Sequence, residues 1–156
     1  MISWRPRPFL KSQSARSPGQ GRASLSRTGL QLADRSPKGV CEAAAITLEA
    51  NAIVVESGPN SFVVLAASPW RPCLEVLDRV ALDLCFKTAR PSGKGSDQSA
   101  GSDWLFVPVL RGEEVVAAFG ISGRYCRRRF NPDDALIRST LEVLEAFYRN
   151  NDRALP

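Results

Sequence analysis

Two pairs of apolar runs, each pair interrupted by only a few turn-forming residues, constrain what this chain can fold into more than any other feature. The first pair is Ala52-Ile53-Val54-Val55-Glu56 and Phe62-Val63-Val64-Leu65-Ala66-Ala67, parted by Ser57-Gly58-Pro59-Asn60. The second is Trp104-Leu105-Phe106-Val107-Pro108-Val109-Leu110 and Val115-Val116-Ala117-Ala118-Phe119-Gly120-Ile121, parted by Arg111-Gly112-Glu113-Glu114. Short β-branched and aromatic runs bounded by Gly, Pro and Asn are strands, and so short a link lets two strands pair only antiparallel. Four strands in two hairpins are therefore expected, with Pro108 at a bulge or a sheet edge because it has no N–H to donate.

Such hairpins need an apolar cover, and the rest of the pattern supplies it. The Ala-rich stretch Cys41–Ala50 has good helix propensity. Beyond the breaks at Pro69 and Pro72, residues Leu74, Leu77, Val80 or Ala81, Leu84 and Cys85 recur at spacings of three and four before Pro91, which predicts an amphipathic helix. The last helix has the sharpest start signal: Asn131 as N-cap, Pro132 at the first position, and Asp133 and Asp134 where the helix dipole favours acids. Its stripe of Leu136, Ile137, Leu141, Leu144, Phe147 and Tyr148 is a core-facing surface. The order helix, hairpin, helix, loop, hairpin, helix gives an α+β domain with helices packed on an antiparallel sheet.

The regular pattern starts at Val40, and the charge changes sign there. Of the 21 basic and 16 acidic residues, eight (Arg5, Arg7, Lys11, Arg16, Arg22, Arg27, Arg35, Lys38) and one (Asp34) fall in 1–39, leaving 40–156 at a net of −2. The N-terminal stretch is rich in Ser, Pro and Gly and has no apolar period, so it cannot bury enough surface to offset ordering entropy. The expected organisation is a disordered basic tail over 1–39 followed by one globular domain over 40–152. The tail is open to three readings: a solvated extension, an arm for nucleic acid or anionic lipid, and an organelle transit peptide.

The sequence contains no histidine, which removes the commonest general base and metal ligand and the phosphoacceptor of histidine kinases. Cys41, Cys73, Cys85 and Cys126 lack the C-x-x-C pairs of a zinc site, so no metal or cofactor is expected and only thiol chemistry remains open. No apolar stretch approaches the roughly 18 residues of a membrane span, and no signal-peptide pattern opens the chain, so a cytoplasmic protein with reduced cysteines is expected. Gly93-Lys94 does not complete a phosphate loop of the G-x-x-x-x-G-K-[ST] kind, because Thr88 stands where the first glycine belongs and Gly95 where Ser or Thr belongs. The cluster Arg124, Arg127, Arg128 and Arg129, interleaved with Tyr125 and Phe130, is a candidate anion or nucleic-acid contact, set against the plainer reading of a solvated connector.

One stretch carries a family likeness. The pieces are Ala81-Leu82-Asp83-Leu84-Cys85-Phe86, then Gly93-Lys94-Gly95-Ser96-Asp97, then Ser102-Asp103-Trp104-Leu105-Phe106-Val107-Pro108-Val109, and Val115–Ile121. In this order they resemble the GAF-type domain of KdpD-like sensor histidine kinases. The resemblance implies a GAF-like α+β fold and a bacterial signal-input domain of a two-component system for potassium regulation. The chain departs from that architecture in having no phosphoacceptor, no ATP-binding half and no membrane segment. The likeness thus implies a non-enzymatic role in trans, or as a truncated relative, with a histidine kinase core or response regulator as partner, and a homodimer through 132–150. It also implies a ligand site under the glycine loop formed by Ser92, Gly93, Lys94, Ser96, Asp97 and Trp104, where plain core packing is the alternative for Trp104. Two other classes stay open: a nucleic-acid-associated regulator using the tail and the Arg cluster, and a thiol-dependent methionine sulfoxide reductase using Cys73, Cys85 or Cys126.

Overall fold

The computed structural model describes residues 34–98, 101–123 and 129–152, together with the backbone of 25–26 and 29–30. Both expected hairpins form. Strands β3 (Ala50–Ser57) and β4 (Phe62–Ser68) make the first, and β6 (Leu105–Arg111) and β7 (Glu114–Gly123) the second. They join through β3 and β7, which pair antiparallel from Ala50 opposite Gly123 to Glu56 opposite Ala117. A fifth strand that the sequence pattern did not suggest, β5 (Ser92–Gly93), adds to the far edge of β6 and completes the order β4-β3-β7-β6-β5. Pro108 lies past the two residues of β6 that β5 covers and one residue before an irregularity in the β6–β7 register at Val109 and Leu110, where a missing donor costs least.

Alternation along the strands sorts their side chains to two faces, and both are covered. Ala52, Val54, Leu105, Val107, Val109, Ala117, Phe119 and Ile121 meet helix α1 (Pro37–Thr47) through Val40, Cys41, Ala44 and Ala45, and helix α3 (Ala135–Asn151) through Ile137 and Leu144. On the opposite face Ile53, Val55, Phe106 and Ala118 meet helix α2 (Val76–Thr88) through Ala81, Leu82 and Cys85. A sheet clad on both sides explains why β7 is apolar almost without interruption. Gly120 sits under the Phe106 ring, where an added Cβ would come within 2.8 Å of both Phe106 and Ile53.

Three element boundaries differ from expectation. Helix α1 starts at Pro37, capped by Ser36, whose Oγ accepts from Gly39 N at 3.3 Å, so the edge expected at 39/40 falls inside a helix. Most of the expected disordered tail lies outside the described residues, but β1 (Leu25–Ser26) and β2 (Gly29–Leu30) pair antiparallel within it. Ala50 opens β3 rather than closing α1, because Glu49 takes a positive φ of 48° and turns the chain. Helix α3 starts at Ala135, not at Pro132. Asn131 spends its side chain on Asp133 N at 2.9 Å in a turn of its own, and Asp134 becomes the cap by accepting from Leu136 N at 2.9 Å.

Helix α3 is fastened at its far end. Tyr148 donates its hydroxyl to Glu56 Oε1 at 2.6 Å, and Arg111 in the β6–β7 turn bridges to Asp152 at 3.1 Å. Burial first, and then the Glu56 contact, push the Tyr148 phenol well above its ordinary value.

Candidate functional site

The segment between α2 and β6 folds into a compact loop whose backbone only glycine can follow. Gly93, Gly95 and Gly101 have φ of 93°, 96° and 101°, and a Cβ on Gly93 or Gly95 would collide with the carbonyl oxygen of Trp104 or Phe130 respectively. The loop closes on itself through Gly93 N to Gln98 O and Lys94 N to Trp104 O, both 2.8 Å. Ser96 Oγ lies 2.8 and 2.7 Å from the carbonyls of Gly93 and Gln98 and accepts from Gln98 N at 3.2 Å.

Both ends of the loop are tied to α2. At one end Ser92, fully buried, donates its hydroxyl to the Ala81 carbonyl oxygen. At the other, Ser102 donates to Asp78 Oδ1 at 2.8 Å and accepts from Trp104 N at 3.1 Å. The second Asp78 oxygen accepts from Glu75 N at 2.9 Å, so this buried carboxylate both starts the helix and holds the loop.

The loop, the approach to β6 and residues 129–131 enclose a cleft of about 660 Å³. Of the six ligand residues expected from sequence, Gly93, Lys94, Ser96 and Asp97 line it. The other two do not. Ser92 turns inward to α2, and Trp104 is 6% exposed and stacks on Phe106 at 6.1 Å, because residues two apart on an extended chain share a face. Core packing is the correct reading of Trp104. Arg129, exposed, is also at the cleft, while Arg124, Arg127 and Arg128 lie outside the described residues.

Sequence reasoning missed Gly95, Gly101, Ser102, Asp103 and Asn131 as cleft residues, and placed Phe130 only with the Arg cluster. Asp103 meets Lys94 Nζ at 3.4 Å across the cleft, and Asn131 had been assigned wholly to helix capping. Among the described residues the lining charges balance: Lys94 and Arg129 against Asp97 and Asp103. Such a cavity offers hydrogen bonds and local charge of both signs, which suits a small polar molecule.

The thiols fall elsewhere. Cys41 and Cys85 are buried and pushed up to about 12, chiefly by loss of hydration, which leaves them unreactive; Cys73 is exposed, and Cys126 lies outside the described residues. No helix among the described residues is long and apolar enough to cross a membrane.

Among solved structures, the native GAF domain of the potassium sensor histidine kinase KdpD from Escherichia coli superposes with a TM-score of 0.56. The match covers 79% of this chain and 91% of that domain at 19% identity. The fold is that of a GAF domain. No protein-family model and no curated protein sequence matches the chain. The GAF fold here consists of the five-stranded sheet, with α1 and α3 on one face, α2 on the other, and the glycine loop wired to α2.

Proposed function

We propose that the chain is a signal-input domain whose glycine-loop cleft takes up a small polar ligand and whose state is read in trans by a histidine kinase core, in a two-component system that adjusts potassium uptake. The observation that carries this reading is the GAF fold shared with the KdpD domain across most of the chain. The wiring of the site supports it. With Ser92 and Ser102 both bonded to α2, a loop that shifts on ligand binding must move α2 or break those bonds. The sequence has no histidine, so the phosphoacceptor in this scheme belongs to the partner. A homodimer through α3 is compatible with the scheme.

The test adds the full chain to a purified KdpD-type kinase core and follows autophosphorylation from radiolabelled ATP across a range of potassium concentrations. A change in rate of about fivefold or more, weakened by Lys94→Gln, is the expected coupling between input and output. No co-elution with the core, together with an unchanged rate, would refute the proposal.

A further inference from the structure

A second cavity lies on the α2 face of the sheet, between the β3–β4 turn, the start of β4 and the approach to α2. It holds about 470 Å³, within the roughly 300–1,000 Å³ of small-molecule sites. Its apolar wall is Phe62, Val64 and Leu74, all packed on the α2-side core, and Phe62 is fixed by stacking on Phe86 at 5.5 Å. Among the described residues its charged group is Arg79, and no carboxylate lines it.

Among the described residues the guanidinium is left without a partner by what its neighbours do. Asp83, one turn ahead, is held by Lys87 at 2.6 Å. Asp78 is buried and spends its two oxygens on Ser102 and Glu75 N. Among the described residues no ion pair joins Arg79 to Glu75, one turn behind. The nearby Arg71 is already engaged, donating to the Val64 carbonyl at 2.8 Å. A forked cation at an apolar wall lacks only an anion, and a carboxylate meets a guanidinium with two parallel hydrogen bonds.

We infer that this pocket binds a small organic monocarboxylic acid, its apolar body against Phe62, Val64 and Leu74 and its carboxylate on the Arg79 guanidinium. The inference stands apart from the kinase reading, since it uses neither the glycine-loop cleft nor a partner. Ligand and guanidinium exchange no atoms or electrons.

Cys73 on the pocket rim is a built-in reporter, because it is exposed while Cys41 and Cys85 are buried. The full chain is treated with N-ethylmaleimide with and without millimolar phenylacetate or octanoate, and labelling of each cysteine is followed by peptide mass spectrometry. At least one of the two acids is expected to slow Cys73 labelling about fivefold or more, and its neutral alcohol analogue to need about tenfold higher concentration for the same protection. Protection is expected to vanish in Arg79→Gln, to persist in part in Arg79→Lys, and to be unchanged in Lys94→Gln. Unchanged slow labelling of Cys41 and Cys85 verifies that each variant is folded. Equal protection by acid and alcohol, full protection in Arg79→Gln, or no protection by either acid overturns the inference.

Discussion

The two cavities are built from opposite materials although neighbouring residues of α2 serve both, Asp78 by holding the cleft loop through Ser102 and Arg79 by lining the pocket. The glycine-loop cleft is made largely of backbone and short polar side chains, and the four charges that line it among the described residues cancel. The pocket at Phe62 is made of side chains on an apolar wall with, among the described residues, a single uncompensated guanidinium. Asp78 and Arg79, adjacent in sequence, divide between them: one faces inward and holds the cleft loop, the other faces the pocket. The difference teaches that the cleft's shape is a condition of folding, whereas the pocket can be altered without disturbing the chain's path.

The largest effect should come from the cleft backbone. Gly93→Ala puts a Cβ against the Trp104 carbonyl at a φ that L-residues avoid, and should cost about 3 kcal/mol or more, read as a lower urea midpoint. A midpoint equal to wild type would mean that the loop is not held as described, and the contrast with the pocket would fail. Asp78→Ala comes next. It removes the acceptor for Ser102 and Glu75 N in a buried place, at about 2–3 kcal/mol, and Asp78→Asn should recover part of that. Hydrogen exchange sharpens the point: in Asp78→Ala the amides of 93–98 should exchange faster, while those of β3 and β7 should keep their protection.

This contrast also explains what could be read from the sequence. The hairpins were legible because β-branched runs ending in Gly-Pro-Asn or Gly-Glu-Glu leave a chain few alternatives, and both formed in the expected order. Strand β5 was not legible: Ser92-Gly93 has no strand signal of its own and is recruited only because β6 offers an open edge. The start of α3 was misplaced because Asn131 and Asp134 are both good caps, and only the turn that Asn131 makes with Asp133 decides between them. Four of the six expected residues do line the cleft because they are contiguous with the glycines. Ser92 and Trp104 share that neighbourhood in sequence but not the direction of their side chains. The pocket left no mark at all, since Phe62 in β4, Leu74 in the loop before α2 and Arg79 in α2 are assembled only by the tertiary fold.

Buried thiols make the core sensitive to high pH. Burial holds Cys41 and Cys85 at about 12, above the ordinary 9.0, so the folded chain keeps protons that the unfolded chain releases. Stability from these groups is complete below pH 9 and is lost as pH climbs toward 12, with Tyr148 adding a loss in the same direction above its ordinary value of 10.0. Alkaline denaturation should therefore steepen past pH 9, and Cys85→Ala should flatten the slope. Equal slopes in the wild type and the variant would mean that Cys85 is not sealed under α2.

The smallest effect is the most telling about the cleft. Lys94 and Asp103 approach to only 3.4 Å, and the side chain of Asp103 is 88% exposed, so water screens the pair and its contribution to stability is about 0–0.5 kcal/mol. Lys94→Gln should then melt within about 2 °C of wild type and show no change in salt dependence. That near-silence is what a binding role requires: charges that do not hold the fold together are free to exchange each other for a ligand. A melting point well below wild type would make Lys94 a structural residue, and the cleft, like the Gly93 backbone beneath it, would belong to the fold rather than to a site.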